Sequence, residues 1–125
     1  MRGDRPHLPR LAPIDAYGDG RFRFAGMMHA GSLLCLPSGI WAWDPASAAD
    51  IDAATLAPVL EEAEAIDILV VGAGRAPWTM PAPLRALLQE RRIATDVLVT
   101  GSAVRTYNIL LAEGRRAAAA LIAIA

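Results

Sequence analysis

Residues 100–124 read TGSAVRTYNILLAEGRRAAAALIAI, and the reading of this stretch decides the fold. Thr100 can cap a helix and Gly114 can end one, so a helix is expected from about Ser102 to Glu113. Val104, Tyr107, Asn108 and Leu111 recur at i, i+3, i+4 and i+7 and share one face of it. The tail AAAALIAIA sets two rules against each other. Alanine propensity favours helix, whereas Gly114 starts a new element in a length that suits a strand. A final strand completing a sheet is the reading adopted.

Upstream, Ile93 to Val99 (IATDVLV) and Ile66 to Val71 (IDILVV) are apolar runs rich in β-branched residues, the mark of strands covered on both faces. Between them Pro83 suits the first turn of a helix that turns Leu84, Leu87 and Leu88 inward and Arg85, Glu90, Arg91 and Arg92 outward. Strand–helix–strand at this spacing predicts a right-handed crossover between parallel strands. An earlier helix carries Leu56, Val59, Leu60 and Ala63 as its stripe, with Asp52 or Thr55 as N-cap. Pro58 fits best in a first turn, which favours Thr55. Ile14 to Asp44 reads as a β-meander. Gly18-Asp19-Gly20 makes a turn, Phe22 and Phe24 alternate with Arg21 and Arg23, and Trp41 and Trp43 lie opposite Ile40 and Ala42. Met1 to Pro13, with three prolines and scattered charge, is expected as a flexible tail, leaving residues 14–125 as one globular domain.

Hydrophobic content of 54 % against 20 % charge excludes a disordered chain. No apolar run approaches the roughly 20 residues of a membrane span, and the N-terminus lacks a signal-peptide core. One cysteine permits no internal disulfide, so a cytoplasmic location is expected. The net charge of −1 gives no case for nucleic acid. All twelve basic residues are Arg, which removes lysine Schiff-base and P-loop chemistry. The charge is segregated. Asp44 to Asp67 holds seven acids and no Arg, while Arg75 to Arg116 holds seven Arg against three acids. Two solvated faces account for this, as does a polarised surface that orients a protein partner.

Chemical motifs are sparse. Gly72-Ala73-Gly74-Arg75 follows a buried strand and could cradle an anion, but the third glycine of a dinucleotide site and the lysine of a P-loop are missing, and a tight turn suffices. His29 and Cys35 are too few ligands for structural zinc, His7 lying in the tail, so no metal or other cofactor is expected. Packing and a turn account for Met27-Met28-His29. Cys35 reads as an inert small hydrophobe, no G-x-S-x-G is present, and no catalytic residue is assigned. Arg105-Thr106-Tyr107-Asn108 is different. An asparagine on an apolar helix face costs about 1–3 kcal/mol if unpaired, so it must meet a backbone group or a ligand. Either Asn108 holds the Gly72–Arg75 turn, or a small polar pocket lies between that turn and the helix. Trp78, in a proline-rich loop, is a candidate anchor for a partner.

The strand end VVGAG, the run IATDVLVTGSAVRTYNILLAEGRR and the terminal AALI together resemble the family of mitochondrial respiratory complex I assembly factor 3 and its prokaryotic relatives. Gly72, Gly74, Thr100, Ala103, Arg105, Thr106, Tyr107, Asn108, Leu110, Glu113, Gly114, Arg115 and the Ala119–Ile122 ending carry the resemblance. Val99 stands where many members have an acidic residue before the threonine. The resemblance implies an α/β (α+β) fold: a single three-layer domain around a central mixed sheet. It brings no established catalytic activity, and it implies action through protein contacts in assembly of a respiratory complex.

Overall fold

The computed structural model describes residues 5–125. In chain order it contains β1 (Ala16–Gly18), β2 (Arg21–Phe24), β3 (Met27–Ala30), β4 (Ser32–Leu36), β5 (Gly39–Trp43), α1 (Ala53–Glu61), β6 (Ile68–Gly72), α2 (Ala82–Glu90), β7 (Ala94–Leu98), α3 (Thr100–Ala112) and β8 (Ala117–Leu121). The first three strands form a small antiparallel sheet, and the others a five-stranded sheet of order β5-β4-β8-β6-β7. The alanine run is therefore a strand, at the centre of that sheet. It runs antiparallel to β4 (Leu34 opposite Ala120) and parallel to β6 (Val70 opposite Ala119), which makes the sheet mixed. Helix propensity gives way here because both neighbours supply ladder bonds and all five residues are buried.

Register fixes which side chains share a face. Leu34, Leu36, Trp41, Trp43, Leu69, Val71, Ala118 and Ala120 pack beneath α1 and α2. Leu33, Cys35, Ile40, Val70, Ala119 and Leu121 pack on the other side against Ala103, Val104 and Tyr107 of α3 and Phe22 and Phe24 of the small sheet. The result is three layers, as the α/β reading expects. Each large apolar side chain fully buried in these layers contributes about 1.5–3 kcal/mol relative to exposure. β6 passes to α2 on one face and then to β7, whereas β7 passes to α3 on the opposite face and returns to β8. The connection direction reverses at the C-terminal ends of β6 and β7.

Several local expectations need correction. Met27–Ala30 is not a turn but strand β3, paired with Arg21–Phe24. β7 is not a fully buried strand; it is an edge strand and mostly half-buried, with Val97 packed on the α2 side and Leu98 on the α3 side. Helix α1 is capped by Asp52, not Thr55. The Asp52 carboxylate accepts the Thr55 N–H and the Thr55 hydroxyl accepts the Asp52 N–H, both at 2.9 Å. Pro58 sits in the second turn, where it removes one helical hydrogen bond, and the reciprocal cap supplies two. The expected tail is also corrected in part. His7 and Leu8 donate N–H groups to the Ile40 carbonyl, Ile40 donates back to Leu8, and Ala12 and Ile14 are buried. Residues 7–14 thus form a strap. Gly39 makes room for it, since a Cβ there would overlap the Leu8 carbonyl oxygen. The remainder of that expectation, residues 1–4, lies outside the described residues. Among the described residues no helix is long and apolar enough to cross a membrane.

Candidate functional site

Helix α3 carries the chemically distinctive residues, and its first turn is built around Thr100. The side chain is fully buried. Its Oγ1 accepts the Gly74 N–H at 3.0 Å and donates to the Ile122 carbonyl at 2.7 Å. The Thr100 N–H donates to the Gly74 carbonyl at 2.9 Å, and Ile122 N–H donates to Gly72 at 2.8 Å. Thr100 is therefore the first residue of the helix, with Val99 in the capping position, and its hydroxyl ties three strand ends rather than capping α3. Glycine is required at two points. Gly74 has φ of +102°, and a Cβ on Gly72 would stand 3.0 Å from Leu121 Cδ2 and 3.1 Å from Thr100 Cα.

Open α/β sheets bind ligands where the connections reverse, often through N–H groups of a glycine turn. Here that crevice is filled from within. The Gly74 N–H is spent on Thr100 and the Ala73 N–H on the Leu98 carbonyl at 2.8 Å. A surface depression of about 350 Å³ does lie beside the turn, lined by residues 46–48, 73–76 and 122–125, but α3 contributes nothing to it.

The middle of α3 does a second, separate job. Tyr107 is fully buried, and its phenol donates to the Ala12 carbonyl at 2.8 Å. The Asn108 carboxamide accepts the Ile14 N–H through Oδ1 and donates to the Ile14 carbonyl through Nδ2, each at 2.8 Å. One side-chain amide so imitates a neighbouring strand for one residue. The demand that Asn108 be satisfied is met, but by the strap and not by the Gly72–Arg75 turn. Arg105 is exposed and Thr106 half-buried. Arg75 is exposed, its guanidinium donating to the Ala125 backbone oxygen. Trp78 is half-buried and packs against the core beneath α2. The structure thus separates Gly72, Gly74 and Arg75 from Arg105, Thr106, Tyr107 and Asn108. Sequence reasoning missed Thr100 as the link between them. A buried threonine between an apolar strand and a helix start was the available signal.

Nucleophilic chemistry is suppressed at the core of this region. Burial pushes the Cys35 thiol up to about 12, against a smaller opposing effect of its hydrogen bond with Tyr107. Burial likewise raises the Tyr107 phenol well above its ordinary value, the adjacent Cys35 adding to it. Neither group ionises near neutral pH. Among the described residues no group of three His, Cys, Asp or Glu side chains is placed to hold a metal ion.

Fold and motif define a three-layer α/β module whose distinctive polar side chains are spent on its own backbone. The chain belongs to the family described as protein of unknown function (DUF498/DUF598), which matches residues 14–122. It is 37 % identical to an uncharacterized protein of Rhodobacter capsulatus over 98 % of this chain and 93 % of that one. It is 31 % identical to the mouse NADH dehydrogenase [ubiquinone] 1 alpha subcomplex assembly factor 3 over 92 % of this chain, spanning 62 % of the length of that factor. A crystal structure from Bartonella henselae, described as an outer membrane protein, superposes with a TM-score of 0.92 at 48 % identity, covering 95 % of this chain and all of that one.

Proposed function

We propose that this protein is a non-enzymatic interaction module that works in the cytoplasm and assists assembly of a complex I-type respiratory membrane complex by binding a protein partner. The observation that carries the reading is the alignment with complex I assembly factor 3 over 92 % of the chain. The internal use of Thr100, Tyr107 and Asn108 supports it, because side chains tied to backbone carbonyls and amides are not available to turn over a substrate. The acidic stretch from Asp44 to Asp67 and the arginine-rich stretch from Arg75 to Arg116 would orient an encounter with a charged partner. Deleting the gene and resolving solubilised membranes on native gels tests the reading. The expected result is loss of the full-size NADH dehydrogenase complex with accumulation of smaller intermediates, restored by the intact chain. Normal amounts of full-size complex in the deletion strain would overturn it.

A further inference from the structure

The five-stranded sheet has two edges, and they differ. At β5 the strap covers the edge, with Leu8 bridged antiparallel to Ile40. At β7 the strand order ends and no described strand lies outside it. The ladder determines which groups are left over. Ala94 donates its N–H to Asp67, and Leu98 accepts from Ala73, both bonds pointing inward to the β6 side. Backbone direction alternates along a strand, so Ala94, Asp96 and Leu98 face β6, while Thr95 and Val97 present their N–H and carbonyl groups outward. Asp96 lies opposite Val70, which places its side chain on the α3 face of the sheet. It is half-buried and makes no ion pair among the described residues.

An open edge is a template for another strand. A second copy of this chain is a poor occupant. Two antiparallel β7 strands that both use their outward residues must pair Thr95 with Val97 of the copy, about a two-fold axis at Asp96. Other antiparallel registers with two bonded pairs call on Ile93 or Val99, whose N–H and carbonyl are already spent on Leu88 and Ala103. In the register that survives, the two Asp96 carboxylates stand directly opposite, in the non-hydrogen-bonded pair where side chains are closest. Asp96 thus opposes self-pairing and favours a strand with positive charge at the facing position.

We propose that the β7 edge receives an extended segment of a protein partner, added antiparallel to β7 with a Lys or Arg opposite Asp96. That the occupant is a protein rests on the assembly-module reading; the geometry of the edge does not.

The test uses the full chain, labelled for amide NMR, and two short synthetic peptides of alternating Thr and Val, one with Lys at its centre and one with Glu. The Lys peptide should shift the Thr95 and Val97 amides and bind roughly tenfold more tightly than the Glu peptide. Asp96→Lys should reverse that preference. Asp96→Asn, checked for an unchanged fold by circular dichroism, should sediment as a dimer at concentrations where the wild-type chain is a monomer. No shift at Thr95 and Val97 with either peptide, an order of preference untouched by Asp96→Lys, or a wild-type dimer through β7 would each overturn the proposal. Peptide binding at β7 alongside normal complex assembly in the deletion strain would remove the assembly role and leave the edge site standing. Failed assembly in the deletion strain with no peptide binding would do the opposite.

Discussion

Thr100 at the start of α3 and the Tyr107–Asn108 pair at its middle both spend side-chain polar atoms on backbone groups distant in the sequence. Thr100 reaches Gly74 and Ile122, within the strand–helix–strand unit. Tyr107 and Asn108 reach Ala12 and Ile14, in a strap that precedes every strand of the fold. The chemistry of the two anchors is similar; their surroundings are not. Thr100 is fully buried and water cannot replace its bonds, whereas Asn108 is half-buried and its bonds to the buried Ile14 can be reached by water from the asparagine side. The first anchor therefore belongs to the core of the large sheet. The second fastens a peripheral layer to it.

Removing the hydroxyl at the first anchor should have the largest effect. Thr100→Val keeps the shape but strands the Gly74 N–H and the Ile122 carbonyl in a dry site, an expected loss of about 3 kcal/mol in urea unfolding. Thr100→Ser, which keeps the hydroxyl, should lose far less. A Thr100→Val loss under about 1 kcal/mol would break the distinction between the anchors. Gly72→Ala comes next, at about 2 kcal/mol, because its Cβ would press Leu121 and the Thr100 backbone, which have little room to give. Its signature is faster exchange at the Gly74 amide with the Ile14 amide unchanged.

The crossover unit is legible in the sequence because its signals are local. IDILVV, Pro83 and Gly114 mark strand, helix start and helix end within a few residues of where they act. The alanine strand is legible through Gly114 despite the propensity of its residues. What escapes is long-range and carried by backbone. Leu8 pairs with Ile40, and Asn108 with Ile14, through N–H and carbonyl groups that almost every residue has, so no side-chain pattern announces the partner. The strand at Met27–Ala30 escapes because it lacks β-branched residues and relies on β2 for its pairing. At the candidate site, polarity on an apolar face correctly implied a partner for Asn108. It could not say which one, and the glycine turn nearest in the motif was the wrong choice. Threonine at a helix start usually caps it, and the sequence around Thr100 carries that signal. Here the hydroxyl oxygen accepts the Gly74 N–H in place of a helix N–H and donates its own proton to the Ile122 carbonyl.

A smaller effect is expected at the second anchor. Asn108→Ala should cost about 1 kcal/mol, since water can take over part of what is lost, and Tyr107→Phe about 1–2 kcal/mol, because it strands one buried acceptor, the Ala12 carbonyl, against the two groups stranded at Thr100. Protection should fall at the Ile14 amide and persist at Gly74. The two anchors lie eight helical residues apart, about 12 Å along the axis. The losses from Thr100→Val and Asn108→Ala should therefore add to within roughly 0.5 kcal/mol in the double variant. Strong coupling would mean that the strap and the crossover unit form one cooperative element after all.

The smallest effect separates the two regions by pH. His29 lies in β3, its ring centroid 4.6 Å from that of His7 in the strap and its Nε2 3.1 Å from the Ser32 carbonyl oxygen. Burial lowers its pKa, the bond to Ser32 opposes this, and the charge of His7 lowers it further. An imidazole harder to protonate in the folded state than in the unfolded one binds fewer protons when folded, so acid favours unfolding. The contribution is intact above the unfolded value of about 6.5 and is lost as pH falls below it. The loss should fall on the side of the molecule where the two rings meet. Exchange protection factors at residues 7–14 should drop between about pH 6.5 and 5, with Gly74 and Ile122 unaffected, and His29→Gln should flatten the dependence. A uniform decline over the whole sheet, or one that survives His29→Gln, would mean that acid acts through other groups and that the strap is not the separable layer its hydrogen bonds describe.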